Sequence, residues 1–250
     1  IVLIAQDSAN YGLDRYKKPM LPTLLRELAK IEGIAWIRVL YSYPKYFTDE
    51  LIDVFATEPK VVKYIDLPLQ HAHNAVLRSM NRPDTREGVE KLIKKLRERI
   101  PGVAIRSTFI VGFPGETDAH YQALRSFVEE QRFDKVGIFT YSEEEDTPAA
   151  VMAHKVPEEV MQERYHDLMS LQSKISEEIN IGLEGHETDV LIEGRDTEQQ
   201  AIAVGRSYRE APEVDGQIYI EGDAESRVGD IVRVRLLQGF TYDIVGERVH

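Results

Sequence analysis

The stretch with the clearest chemical potential is a polar turn that follows an apolar strand. The strand predicted at Val103–Val111 carries Arg106 and Ser107, and it runs into the glycine turn Gly112–Glu116. A periodic helix is predicted directly afterwards, at Thr117–Gln131. Glycines let a backbone approach a ligand closely, and a helix start offers free N–H groups and a positive dipole end. This order predicts a place to hold a polar ligand, although a tight turn without a ligand fits the same residues.

Arg106 alternates with strand residues that must be buried, so its charge needs a partner. One hypothesis is an internal salt bridge with a core acid such as Asp66, and the other is a clamp on the carboxylate of a ligand. Glu116 also has two interpretations. It either belongs to a ligand site or is simply an acid in the first turn of a helix, where the helix dipole favours a negative charge. The sequence leaves both questions open.

The segment Pro68–His73 contains a pair of histidines, His71 and His73, separated by one residue. Such a pair is compatible with a metal ligand set, but no third ligand is evident nearby. A hydrogen-bonding role for Gln70 and His71 at a strand end is favoured instead. His73 is predicted to be exposed, and no metal site is expected in this chain.

The elements that must position these residues alternate between short apolar strands and amphipathic helices across residues 1–141. Helices are predicted, in chain order, at Pro19–Ile31, Thr48–Ala56, Asn74–Met80, from the cap Asp84 to the residues before Pro101, and at Thr117–Gln131. The predicted strands are Ile1–Ala5, Trp36–Leu40, Val61–Leu67, Val103–Val111 and Lys135–Tyr141. Alternation of this kind indicates parallel βαβ units, as a doubly wound sheet or as part of a barrel.

In both architectures, ligands bind at the carboxyl ends of the strands. Five polar segments follow the predicted strands: Gln6-Asp7, Tyr41–Tyr43, Pro68–His73, Gly112–Glu116 and Tyr141–Glu145. We therefore expect these five segments to converge on one site.

The last quarter of the chain has a different pattern of predicted secondary structure. After a long amphipathic helix at residues 157–183, short alternating strands are predicted at Thr188–Ile192, Ala201–Arg206, Gln217–Glu221, Ile231–Leu237 and Tyr242–Val249. Five short strands in about 65 residues are typical of a small OB-like antiparallel β-barrel.

Composition limits the class of protein. The net charge of −12, from 31 basic and 43 acidic residues, argues against a nucleic-acid partner and suits a basic protein partner. The absence of cysteine excludes a disulfide scaffold and a thiolate metal site within this chain. No apolar run of about 18 residues and no signal-peptide pattern is present, so we expect a cytoplasmic location. Because the strand starts at Ile1, the chain is expected to begin in the middle of a protein.

Taken together, these motifs resemble the methylthiotransferase branch of the radical S-adenosylmethionine (SAM) enzymes. The markers are Ile4–Gly12, Tyr64–His71, Leu77–Arg82 and Arg106–Glu116, and the last domain resembles a TRAM domain. The resemblance implies an α/β fold, namely an incomplete (β/α)6 partial barrel over residues 1–156 whose first strand and cluster loop are missing. A linking helix at 157–183 and a TRAM barrel at 184–250 would follow.

The resemblance also implies cofactors and site residues. The family uses SAM and two [4Fe-4S] clusters held by cysteines, and since this chain has none, it is expected to be a fragment that is inactive by itself. Arg106 would hold the carboxylate of SAM, and Phe139 and the Val111–Gly112 backbone would lie near its adenine. No catalytic residue is identified. The residues implied around SAM are Gln6, Asp7, Gln70, Arg106, Ser107, Gly112 and Phe139, and those implied to face the substrate are Tyr41, Tyr43 and His71.

Two substrates are known in that branch, an aspartate of ribosomal protein S-twelve and an adenosine of tRNA. The segments Gly205–Gly216 and Tyr242–Gly246 resemble the ribosomal-protein subfamily, whose radical chemistry places a methylthio group on the aspartate β-carbon. Residues 184–250 contain 7 arginines, no lysine and 15 acids, a balance of −8. An RNA-binding domain should be basic, whereas an acidic barrel suits a basic ribosomal protein. A tRNA methylthiotransferase and a non-enzymatic ribosomal-protein-binding module remain alternatives, and a monomer is expected.

Overall fold

The computed structural model describes residues 1–196, 198–199 and 201–249, which fall into two compact units. The first unit comprises Ile1–Gln172, and the second begins at Ser173. The boundary lies within one helix of the chain, Glu158–Ile181. In the part of the chain that the structure describes, no helix is long and apolar enough to span a membrane.

The first unit contains five strands, β1 to β5, and every pairing between them is parallel. The strands are β1 (Val2–Leu3), β2 (Arg38–Val39), β3 (Tyr64–Gln70), β4 (Ala104–Val111) and β5 (Lys135–Thr140). Strand β1 pairs with β2, β4 lies between β3 and β5, and a parallel bridge from Ile37 to Val61 connects the two groups. The predicted parallel α/β arrangement is confirmed. The first two strands are shorter than predicted, since their described ladder extends over only two residue pairs.

Helices separate these strands in the predicted order. They are α1 (Leu13–Tyr16), α2 (Leu21–Ala29), α3 (Asp49–Thr57), α4 (Asn74–Ser79), α5 (Arg86–Arg99), α6 (Asp118–Gln131) and α7 (Glu158–Ile181). Thr48 caps α3 as predicted, because its hydroxyl accepts a hydrogen bond from the Leu51 N–H at 3.2 Å. The predicted cap Asp84 is wrong by one residue: Thr85 caps α5 through the Gly88 N–H, three positions further on.

The two faces of the β3–β4–β5 sheet have different surroundings. One face is covered by helices, and Phe109 of β4 packs edge-on against Phe127 of α6 and against Phe133, at centroid distances of 6.3 and 5.7 Å. The opposite face carries Arg106 and Thr108. Gly137 of β5 lies against both, since a methyl group there would stand 3.3 Å from Arg106 Nη2 and 3.6 Å from Thr108 Oγ1. This second face is the open one, on which Phe139 is 57% exposed.

The second unit contains a closed five-stranded barrel. Its strands are β6 (Glu187–Arg195), β7 (Ala203–Arg206), β8 (Ile218–Glu221), β9 (Ile231–Gly239) and β10 (Ile244–Arg248), in the ring order β10-β8-β7-β6-β9. Its core consists mainly of branched aliphatic side chains, including Val190, Ile192, Ile218, Ile220, Val232, Val234, Leu236 and Ile244. The predicted small barrel is confirmed, with one correction to its antiparallel description. Strands β8 and β10 pair in parallel, because an odd number of strands cannot alternate in direction around a closed ring.

Candidate active site

The segments that follow β1 and β2 are joined to each other and to β3 by hydrogen bonds at the carboxyl edge of the sheet. The Ser8 N–H donates to the Tyr41 carbonyl at 2.8 Å, and the Ser42 N–H donates to the Asp66 carbonyl at 2.9 Å. The Tyr43 N–H donates to Asp7 Oδ1 at 3.2 Å. These backbone contacts bring the predicted residues Asp7, Tyr41 and Tyr43 together on one rim.

Asp66 and Arg106 form a buried ion pair below this rim. Arg106 Nη1 donates to Asp66 Oδ1 at 3.0 Å, and the side chains are 14% and 2% exposed. The second carboxylate oxygen of Asp66 accepts the Tyr41 N–H at 2.9 Å. Of the two hypotheses for Arg106, the structure contains the internal salt bridge. Contact between Arg106 and the carboxylate of a ligand stays a prediction.

Glu116 is a buried junction between the glycine turn and the start of α7. Its Oε2 accepts the Gly112 N–H at 3.1 Å, and its Oε1 pairs with Arg164 Nη1 at 2.6 Å. The other Arg164 amino group binds Asp118 at 2.6 Å. The Glu116 side chain is fully buried, so it is more than an exposed first-turn acid. Glu116 therefore stabilises the turn, because it accepts a hydrogen bond from an N–H of the turn and forms an ion pair with Arg164.

His71 completes this junction from the end of β3. Its Nε2 lies 3.3 Å from Glu116 Oε2, with both side chains fully buried, although the two atoms are not aligned for a hydrogen bond. Its Nδ1 accepts the His73 N–H at 2.9 Å, which assigns the ring proton of the neutral form to Nε2, the atom next to Glu116. The His71 ring is packed against a buried carboxylate, and its contact with a substrate stays a prediction.

The remaining predicted residues are placed as follows. Ser107 is completely buried, and its hydroxyl donates to the Leu67 carbonyl at 2.8 Å. Successive side chains of a strand point to opposite faces, so the Ser107 side chain does not share a face with Arg106. A contact of Ser107 with a ligand stays a prediction. Gln6 is exposed in the bend after β1, and Gln70 ends β3 with a positive φ of 71°. Phe139 lies on the open face with Arg106.

Electrostatics at the rim are governed by partial burial. Burial raises the pKa of Asp7, and this effect outweighs the N–H donors of Tyr43, Ala9 and Asn10 and the charge of Arg82. Burial also raises the pKa of Tyr43. The Arg82 guanidinium stacks on the Tyr43 ring, 4.8 Å from its centroid, and so belongs to the same rim.

Arg82 was not predicted as a site residue, but the sequence contained a signal for its placement. Helix α4 ends in a Schellman motif in which the Asn81 N–H donates to the Arg78 carbonyl and the Arg82 N–H donates to the Leu77 carbonyl. Asn81 adopts the left-handed conformation that this motif needs, with φ of 56°. Pro83 then restricts Arg82 to an extended backbone. An asparagine followed by Arg-Pro after a short helix thus predicts a fixed position for the arginine.

His73 caps a helix, contrary to the prediction that it is simply exposed. It is half-buried, its Nδ1 accepts the Ala75 N–H at 3.3 Å, and its ring stacks on His120 at a centroid distance of 4.2 Å. Burial, followed by the proximity of His120, His71 and Arg78, lowers the pKa of His73 below its usual value of 6.5. A protonated Nδ1 could no longer accept the Ala75 N–H.

A pH dependence follows from this cap. Because the folded state has the lower pKa, the unfolded chain binds the proton more readily. The stabilisation from neutral His73 is thus present above about pH 6.5 and is lost as the pH falls below that value. Asparagine also caps helices but does not titrate. We expect the difference in melting temperature between the parent and His73→Asn to shift in favour of the variant from about pH 7.5 to about pH 5.5. A difference that stays constant over this range would contradict the assignment.

The described residues do not supply a set of metal ligands. Among the described residues, no group of three or more histidine and acidic side chains could hold a metal ion, and the sequence has no cysteine. The chain therefore does not fit an iron–sulfur cluster. On the open face, Phe139 is 57% exposed, and a methyl group at Gly137 would stand 3.5 Å from the Phe139 ring and 3.3 Å from Arg106 Nη2.

Comparison with protein-family models identifies two domains. The radical SAM superfamily model matches residues 11–128, and the TRAM domain model matches residues 185–249. Among solved structures, coproporphyrinogen III oxidase (HemN) from Escherichia coli, a radical SAM enzyme, has a TM-score of 0.51 and 18% sequence identity. The match covers 62% of this chain and 36% of that protein, and it shows the fold alone.

Curated relatives match almost the whole chain. Three of them are named ribosomal protein uS12 methylthiotransferase RimO. They come from Caldanaerobacter subterraneus subsp. tengcongensis, Geobacter sulfurreducens and Heliobacterium modesticaldum, with identities of 48%, 49% and 50%. Each match covers 99% of this chain but only 56%, 55% and 53% of the respective relative. The chain thus spans about half the length of the curated relatives it matches.

Proposed function

The chain belongs to the radical SAM methylthiotransferase family, and we propose that it forms the SAM-binding and TRAM parts of an enzyme that methylthiolates ribosomal protein uS12. The observation that carries this proposal is the 48% identity to RimO over 99% of the chain, across both domains. The group modified is, in this proposal, the β-carbon of an aspartate. The enzyme would act in the cytoplasm and as a monomer.

SAM, when bound, supplies the radical that activates the target carbon and the methyl group of the product. We assign its place to the open face of β4 and β5. Phe139 offers an exposed aromatic face for the adenine, and the Val111–Gly112 backbone would lie near it at the end of the neighbouring strand. Arg106, which Asp66 contacts at 3.0 Å, would bind the carboxylate of SAM. Gln6, Asp7 and Gln70 form the rim of the same site.

The iron–sulfur clusters of this proposal require ligands that these 250 residues do not supply, since none is cysteine. We therefore assign methylthiotransferase activity, with two clusters, to a longer polypeptide that includes this chain. The chain by itself is expected to be inactive. No residue of it is assigned a role towards a cluster.

A protein substrate is supported by the charges of the barrel. Arg233 pairs with Asp189 and Glu187, and Arg235 pairs with Glu187 and Glu247. Phosphates would have to compete with these carboxylates, whereas the surplus of acids attracts a basic ribosomal protein.

The test offers both candidate substrates to the full-length enzyme, loaded with its clusters, in one reaction. Mass spectrometry of uS12 and of tRNA nucleosides then measures the methylthio group on each. We expect modification of uS12 and none of tRNA, and no modification of a uS12 variant in which the target aspartate is asparagine. Modification of tRNA alone would overturn the proposed substrate, and the absence of both products would overturn the proposed activity.

A further inference from the structure

Tyr41 lies on the rim in a strained backbone conformation. Its φ of 57° is in the left-handed region, which a bulky residue rarely adopts. Two contacts hold it there: its N–H donates to the buried carboxylate of Asp66 at 2.9 Å, and its carbonyl accepts the Ser8 N–H at 2.8 Å. Strain of this kind persists only where the surroundings over-determine it, and it is concentrated at functional sites. The fold therefore fixes the direction of the Tyr41 side chain.

The ring that this backbone presents is open. Tyr41 is 45% exposed. Five other tyrosines of the first unit already carry a cation of the chain itself; among them, Arg15 lies over Tyr16 at 5.6 Å, Arg82 over Tyr43 at 4.8 Å and Lys45 over Tyr46 at 5.3 Å. In the part of the chain that the structure describes, no cation lies over the ring of Tyr41 in this way.

The net charge of the chain favours a positively charged occupant. Locally, Asp7 is connected to the rim through the Tyr43 N–H, Asp66 is buried and paired with Arg106, and Arg82 lies over the neighbouring Tyr43 ring. The chain as a whole carries a net charge of −12. A nucleobase could stack on the ring, but this net charge opposes the approach of its phosphates. The same net charge attracts a lysine or arginine side chain of a basic protein.

We propose that Tyr41 is a recognition platform for a lysine or arginine side chain of the protein substrate. The proposal rests on the proposed function, in which that substrate is a basic ribosomal protein. The aromatic face attracts the cation, and the strained backbone keeps the ring turned to the rim where the target chain must enter. Asp66 connects this platform to Arg106, so one buried carboxylate positions both the substrate side and the proposed SAM side of the site.

The test compares the affinity of the full-length protein for purified uS12 among variants at this position. Tyr41→Phe keeps the aromatic face, whereas Tyr41→Leu keeps apolar bulk without it. Tyr41→Gly removes the ring and relieves the left-handed strain. Tyr16→Ala, which removes another half-exposed tyrosine, is the matched control. Dissociation constants and melting temperatures are measured for each protein.

We expect Tyr41→Leu and Tyr41→Gly to raise the Kd for uS12 by about 5- to 30-fold. Tyr41→Phe and Tyr16→Ala should leave it unchanged, and the melting temperature of Tyr41→Gly should not fall. If the parent binds uS12 and Tyr41→Leu binds it equally well, the platform is overturned while the proposed function stands. If the parent itself does not bind uS12, the proposed substrate fails and the platform fails with it.

Discussion

Replacement of Arg164 by methionine is expected to lower the free energy of unfolding of the first unit by about 3–5 kcal/mol. The variant leaves the Glu116 carboxylate fully buried without the cation that lies 2.6 Å away in the parent. The guanidinium is only 6% exposed, so solvent does little to weaken this pair. Loss of one partner of a buried pair is costly because the other charge remains without compensation.

Urea denaturation followed by the fluorescence of Trp36, the single tryptophan, would measure this effect in the first unit. Arg26→Met is the matched control, since Arg26 pairs with Glu50 at 2.5 Å but the two side chains are 46% and 58% exposed. An exposed pair contributes at most about 1 kcal/mol. Equal losses in the two variants would show that Glu116 and Arg164 do not form a buried junction in solution.

Gly112→Ala is expected to destabilise the first unit by roughly 2–5 kcal/mol, for two separate reasons. Gly112 has a φ of 79°, which a side chain rarely adopts, and a methyl group would stand 2.1 Å from Cγ and 2.4 Å from Sδ of Met161. The turn cannot move away freely, because the Gly112 N–H is hydrogen-bonded to buried Glu116. Thermal and urea unfolding measure the loss.

Gly115→Ala separates the cost of the positive φ from the cost of the overlap with Met161. Gly115 has a similar φ of 84°, but a methyl group there would meet nothing within 4 Å, so only the conformational cost of about 1–2 kcal/mol applies. In a Gly112→Ala, Met161→Ala double variant, the overlap with Met161 is removed. The double variant should therefore lose less stability than the sum of its two single variants. If Gly112→Ala is no more destabilising than Gly115→Ala, the close contact with Met161 is wrong.

Patterns local in sequence predicted most of the fold. The 3.6-residue and two-residue periodicities gave the order of strands and helices, the parallel sheet and the small barrel, because these features depend on which residues are apolar. The parallel β8–β10 pair could have been derived from the odd strand count. The short lengths of β1 and β2 could not, since strand length depends on neighbours that periodicity does not reveal.

Contacts between residues that are far apart in the sequence were the part of the site that could not be predicted. Glu116 looked like a first-turn acid because its partner Arg164 lies 48 residues further on, and no local pattern connects the two. A hydrogen-bonding role for His71 at the strand end was predicted, but its contact with Glu116 has no local signal in the sequence. The separation of the Ser107 and Arg106 side chains, by contrast, follows from strand alternation alone. The Asp66–Arg106 pair was foreseen because a buried arginine requires an acid.

The central claim is that the open face of β4 and β5 holds SAM, and affinity for SAM tests it most directly. In the full-length, cluster-loaded protein, Phe139→Ala should raise the Kd for SAM by about 5- to 30-fold, because the exposed ring is the proposed adenine face. Phe240→Ala, which removes an exposed phenylalanine of the barrel, should leave this Kd unchanged. A Phe139→Ala protein that binds SAM as tightly as the parent would contradict the account.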